Sequence, residues 1–187
     1  VKTIYVRFRD RAGNVSVTYS DTITVDRVNP SLSTFSIDCG GETNSGVCNS
    51  GVIELAIDAS DDQALHWMAL SNDAGFPVEY FEPFQASRIW TLIPGDGSKT
   101  VYLKLKDAAG NVSDAFEDSI AIDTVAPSPV SLSLGSSQWT NSTTISVTLN
   151  AAGASKYYLA GDVEAGPTTM TWLPMTETVN VVLSGGD

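Results

Sequence analysis

The chain is poor in the residues that most often carry chemistry: 187 residues include one histidine, two cysteines and ten Lys plus Arg. The lone His66 lacks a nucleophile-elbow sequence and the convergent partners a catalytic triad requires, so an exposed strand position is its expected role. Cys39 and Cys48 have no second pair and no histidine nearby, which leaves a zinc site short of ligands. Against 22 Asp plus Glu the few cations leave a net charge of −12, which repels a phosphate backbone and argues against a nucleic-acid partner. Apolar runs are only a few residues long, so no membrane span is expected, and no stretch keeps a helical period. The sequence begins at Val1 inside a repeat, without an initiator Met or an apolar leader. An export signal is therefore expected to have been removed or to lie outside these residues.

What is present is repetition. Lys2-Thr-Ile-Tyr-Val-Arg-Phe-Arg-Asp-Arg-Ala-Gly-Asn-Val-Ser16 returns as Lys99-Thr-Val-Tyr-Leu-Lys-Leu-Lys-Asp-Ala-Ala-Gly-Asn-Val-Ser113, at a constant offset of 97. The match continues through Asp21 and Asp118, Ile23 and Ile120, Asp26 and Asp123, and Pro30 and Pro127. A period of this length is a whole domain, the usual size of a β-sandwich.

Residues 3–9 and 100–106 alternate, with Ile4, Val6 and Phe8 on one face and Val101, Leu103 and Leu105 on the matching face. Each run enters Asp-x-Ala-Gly-Asn, whose Gly and Asn accept a tight connection, and a second strand follows, so each copy is predicted to be a hairpin. Proline at positions 30 and 127 stops pairing and marks the module boundaries. Between them the spacing predicts strands at 33–38, 52–58, 65–71, 77–81 and 88–93, followed by the hairpin of 99–106 and 116–123, seven in all.

A further copy begins near Pro127: 49–57 corresponds to 141–149 at an offset of 92, 65–73 to 155–163, and 100–105 to 178–183. The five residues lost fall in the cysteine-bearing loop. The expected organisation is the last two strands of a first module in 1–28, a complete module in 29–125, and a third module in 126–187 that stops short of its final strand. Either the chain is a segment of a longer array, or strands of one copy complete the sheet of the next.

Asp-x-Ala-Gly-Asn-Val-Ser and Asp123-Thr-Val-Ala-Pro127 resemble the tandem bacterial immunoglobulin-like modules of secreted and surface proteins, and the resemblance covers essentially the whole chain. It implies an all-β fold of tandem immunoglobulin-like sandwiches, an extracellular or cell-surface location, and service as a stalk, an adhesin shaft or an accessory domain. Some modules of this kind bind calcium near their junctions.

The cluster Asp58, Asp61 and Asp62, with the junction residues Asp26 and Asp123, supplies hard oxygens suited to calcium, although Asp is also a common turn residue. Cys39 and Cys48, separated by a turn-rich stretch, are expected to form a disulfide in an oxidising compartment. Trp67, Tyr80, Phe81, Phe84 and Trp90 fall within 24 residues, a density of rings that could supply the platforms on which sugars stack, but the same rings suit a sandwich core. Asn14, Asn111 and Asn141 each begin a glycosylation sequon, the first two within hairpin turns. The reading is a non-enzymatic extracellular shaft whose partners are flanking modules or further copies of itself. A filament subunit joined by strand exchange and a carbohydrate-binding module for surface glycans are the rivals.

Overall fold

A computed structural model describes residues 1–39, 46–78, 80–135, 139–163 and 172–184. By its internal contacts the chain divides into two units, Val1–Thr124 and Val125–Asp187. Among the described residues there is no helix, and so none long and apolar enough to cross a membrane.

The first unit opens with the hairpin β1 (Lys2–Val6) and β2 (Tyr19–Ile23), antiparallel with Lys2 opposite Ile23, and every residue of both strands is exposed. A sandwich follows. One sheet has the order β3 (Ser31–Asp38), β5 (Val52–Ser60), β8 (Ser87–Thr91). The facing sheet has the order β4 (Val47–Cys48), β10 (Phe116–Ile122), β9 (Gly97–Asp107), β6 (Leu65–Ser71), β7 (Glu82–Pro83). All neighbours run antiparallel except β4, which lies parallel to β10. This is immunoglobulin-like connectivity: of the six long strands, the second (β5) and fourth (β8) pair in one sheet, and the third (β6) and fifth (β9) pair in the other.

Alternation produces the core. In β9, Val101, Leu103, Leu105 and Asp107 point inward and are fully buried, while Tyr102, Lys104 and Lys106 face out. Val101 and Ile122 pack against Ile53, Leu55 and Leu92 at one end, and Leu103 and Leu105 against Ile57 and Met68 at the other. Arg88 of β8 reaches across to Glu82 of β7 with two hydrogen bonds, at 3.0 and 3.1 Å, and so ties one sheet to the other.

The second unit pairs β11 (Val130–Ser133), β12 (Thr144–Ala151) and β15 (Thr178–Val182) in one sheet, and β13 (Lys156–Tyr157) with β14 (Leu173–Pro174) in another. Its core holds Val147, Leu149 and Val181.

Several expectations need correction. The strand predicted at 77–81 does not form among its described residues. Phe76 has φ of 44°, a left-handed value that breaks extended backbone, and pairing resumes only at Glu82; Glu79 lies outside the described residues. The short β4 brings the sandwich to eight strands. The match of 178–183 to 100–105 is also wrong. β15 meets β12 as β8 meets β5, with Thr144 opposite Val182 as Val52 is opposite Thr91. The bonds from Leu92 N to Gly51 O (2.8 Å) and from Leu183 N to Thr143 O (2.7 Å) occupy the same place. Likewise Phe84 N donates to His66 O and Met175 N to Ser155 O, each at 2.9 Å, so Ser155 answers to His66 and not to Leu65. The described residues of the second unit thus reproduce β3, β5, β6, β7 and β8. They contain no counterpart of β9 or β10, two strands short where one was expected.

Candidate functional site

The Asp-x-Ala-Gly-Asn motif is a turn lock. Asp107 Oδ1 accepts from Gly110 N at 2.7 Å and Asn111 N at 2.8 Å, and its Oδ2 accepts from Asn111 Nδ2 at 2.7 Å. Burial pushes the Asp107 carboxyl upward, but the Asn111 side chain and the turn amides outweigh it and hold the group below its ordinary value. Asp10 repeats the arrangement with Asn14, whose side chain leads in lowering its value. Asn14 and Asn111 therefore spend their side chains inside the turn.

A different group of carboxylates converges. Asp26, just past β2, accepts from Val28 N at 2.9 Å through Oδ1, and Asp61, just past β5, accepts from Gln63 N at 3.0 Å through Oδ2. The remaining oxygens, Asp26 Oδ2 and Asp61 Oδ1, are shielded from solvent and have no hydrogen-bond partner. With Asp62 these residues bring carboxylate oxygens within 4.8 Å of one another. A shielded, unpartnered oxygen costs about 1–3 kcal/mol, more when charged, and three gathered anions repel. A hard divalent cation removes both penalties, because calcium takes six to eight oxygens and accepts carboxylates, carbonyls and water together. The donor set fits that ion.

Two of the five expected ligands stand apart. Asp58 is an exposed residue of β5 opposite Thr34, and Asp123 is exposed past β10, its backbone N donating to Cys48 O at 2.9 Å. The turn matching Asp61 and Asp62 in the later copy reads Ala152-Gly153-Ala154, without a carboxylate. The sequence marked these five aspartates equally, because convergence of Asp26 with Asp61 depends on the fold.

Cys39 and Cys48 form a disulfide, with Cys48 in β4 beside the last residues of β10. Gly40–Ser45, between them, lie outside the described residues.

The aromatic residues separate. Trp90 packs against the core, with its Nε1 donating to Asn72 Oδ1 at 2.9 Å. Trp67 and Phe81 are half-buried on the outer face, where the Lys106 ammonium sits 5.8 and 5.2 Å from their ring centroids. Tyr80 is exposed, and exposed His66 stands 4.9 Å from the Trp67 ring. Of these rings, Trp67 and Phe81 share the lysine ammonium.

Comparison with solved structures finds similarity to the PKD1 domain of Vibrio anguillarum Epp, at 13% identity over 54% of this chain and 100% of that one, with a TM-score of 0.38. The PKD1 domain from Vibrio cholerae metalloprotease PrtV is similar at 16% identity over 52% and 100%, with a TM-score of 0.36. No protein-family model and no curated protein matches the chain. From its own sheets, it is an all-β protein built on an immunoglobulin-like sandwich.

Proposed function

We propose that the chain is part of an extracellular, non-enzymatic shaft built of tandem immunoglobulin-like modules, divided at 1–28, 29–125 and 126–187. One observation carries this reading: the polypeptide enters and leaves the sandwich at opposite ends. Ser31, the first residue of β3, lies opposite Ser60, whereas Ile122, the last of β10, pairs with Cys48, which is bonded to Cys39 just beyond the other end of β3. The eight residues of β3 separate the two ends by roughly 25 Å. A module so threaded adds length with every repeat, and tension along the chain runs parallel to β3 and β10.

The disulfide supports an oxidising compartment. The acidic excess supports solubility of a long exposed chain. Calcium bound by Asp26, Asp61 and Asp62 would join the end of the first hairpin to the turn after β5, stiffening the junction that Pro30 already restricts. Flanking modules are the expected neighbours. Trapping free thiols in intact producing cells, together with impermeant biotinylation of Lys99, tests the reading. Oxidised Cys39–Cys48 and surface labelling are expected; a reduced pair in an unlabelled protein would contradict it.

A further inference from the structure

We propose that the outer face of β9 and β6, with the chain that follows β6, binds an acidic polysaccharide. The Lys106 ammonium takes a sugar carboxylate, and the rings of Trp67, Tyr80 and Phe81 take the apolar side of the sugar. The proposal goes beyond the shaft reading, since a shaft needs no ligand along its side.

Charge is unevenly placed in the sandwich. Residues 29–125 hold fifteen Asp and Glu against four Lys and Arg. Arg88 is paired with Glu82, and the other three cations, Lys99, Lys104 and Lys106, all lie on β9. Lys104 and Lys106 alternate with the buried Leu103 and Leu105, so both point outward, about 7 Å apart along the strand. Among the described residues Lys106 makes no ion pair despite that excess of carboxylates. Its ammonium lies instead 5.8 Å from the Trp67 centroid and 5.2 Å from that of Phe81. Ring faces satisfy only part of an ammonium with three donors, which leaves capacity for an anion from outside.

The chain after β6 brings the rings there. Trp67 and Ala69 face outward, because Met68 and Leu70 belong to the core. Ala69, opposite Lys104, is nonetheless buried, and Phe76, also buried, has its ring 4.7 Å from the Lys104 ammonium. The segment therefore folds back over its own sheet. It does so with φ of 44° at Phe76, a conformation that a bulky residue holds only under constraint. The return sets Phe81 at the same ammonium as Trp67 and leaves Tyr80 73% exposed. Open rings beside an unpaired cation match a ligand with both an apolar face and a negative charge.

Further along β9 a pocket of about 280 Å³ is lined by Asn72, Ile93, Ser98, Lys99, Thr100 and Tyr102. From Lys106 to Thr100 the strand spans roughly 20 Å, so the face fits a chain of sugars and not a single one. Glu117, opposite Tyr102, interrupts the cations, which places the sugar carboxylate at Lys106. Duplex nucleic acid fits less well. It carries one charge per about 1.7 Å, and the fifteen surrounding carboxylates repel that density more than carboxylates set a sugar apart.

The repeats separate the two parts of the site. At the offset of 97, Lys2, Tyr5, Arg7 and Arg9 answer to Lys99, Tyr102, Lys104 and Lys106, so the cationic strand recurs. In the second unit Lys156 is opposite Pro174 as Trp67 is opposite Pro83, so the ring is replaced there.

Calorimetry and affinity electrophoresis of the 187-residue chain, in EDTA at about 0.15 M salt, test the proposal with polygalacturonate, alginate and hyaluronate. Dextran is the neutral control, and dextran sulfate and duplex DNA are the other polyanions. At least one uronate polymer should bind, more tightly than any control. Lys106→Gln and Tyr80→Ala should each weaken that binding at least about tenfold, and Lys156→Gln should leave it unchanged. All three variants should melt as wild type does; Tyr80→Ala, at an exposed residue, keeps the test decisive where Lys106→Gln disturbs folding. No binding to any of the three uronates overturns the proposal, as does equal or tighter binding of dextran, dextran sulfate or DNA. Uronate binding that survives both substitutions overturns it too. None of these outcomes bears on the shaft reading, which the state of the Cys39–Cys48 pair tests separately.

Discussion

Ile4 and Val101 hold the same position in two copies of one hairpin, yet Ile4 is 71% exposed and Val101 is fully buried. The difference comes from what each hairpin is packed against. Val101 lies over Ile53 and Leu55, whereas β1 and β2 have no covered face. The contrast predicts unequal mutations at equivalent sites. Leu103→Ala should destabilise the sandwich by about 2–5 kcal/mol, since it opens a cavity in a fully buried site. Val6→Ala, its counterpart, should change the urea midpoint of the isolated chain by less than about 0.5 kcal/mol equivalent.

Asp107 should prove structural and pH-sensitive. Asp107→Ala strands the amides of Gly110 and Asn111 and should cost about 2 kcal/mol. Its folded value lies below the ordinary 3.8, so its contribution is fully present above pH 3.8 and is lost as pH falls through the lower folded value. Urea titrations between pH 7 and pH 2.5 should show wild type and variant converging only at the acid end.

Reducing Cys39–Cys48 should lower stability by about 2.5–3 kcal/mol, the loop-closure value for a closed ring of this size. The loss should fall on the end of the sandwich where β4 meets β10, read as faster amide exchange at Ala121 and Ile122.

Calcium should raise the thermal midpoint, with saturation at about 1 mM or below and a gain of about 2.7 kcal/mol at a hundredfold excess over Kd. Asp61→Asn should abolish the gain, because it removes a charge whose shielded Oδ1 has no other partner. Asp58→Asn, outside the group, should leave it unchanged.

Much of the fold was legible because it is local. The run 100–106 forms part of β9 as the alternation predicts, and the Asp-x-Ala-Gly-Asn hairpins follow from residues four apart. What failed was non-local. Thr178-Val-Asn-Val-Val-Leu183 resembles 100–105 letter by letter, but any alternating apolar run does, and only its pairing to β12 identifies it as the counterpart of β8. The two-residue β4 has no periodicity to detect and is fixed by the disulfide and by β10. The carboxylate group was legible as residue types and not as a set, because Asp26 and Asp61 are distant in sequence and meet only where the first hairpin abuts the turn after β5.

The measurement that tests the account most directly is single-molecule pulling of the chain from its two termini. If the sandwich transmits tension between opposite ends, residues 29–125 should yield in one sharp force peak releasing about 30 nm, and about 3 nm more once the disulfide is reduced. Smooth extension at low force, with no distinct peak, would contradict a mechanical shaft.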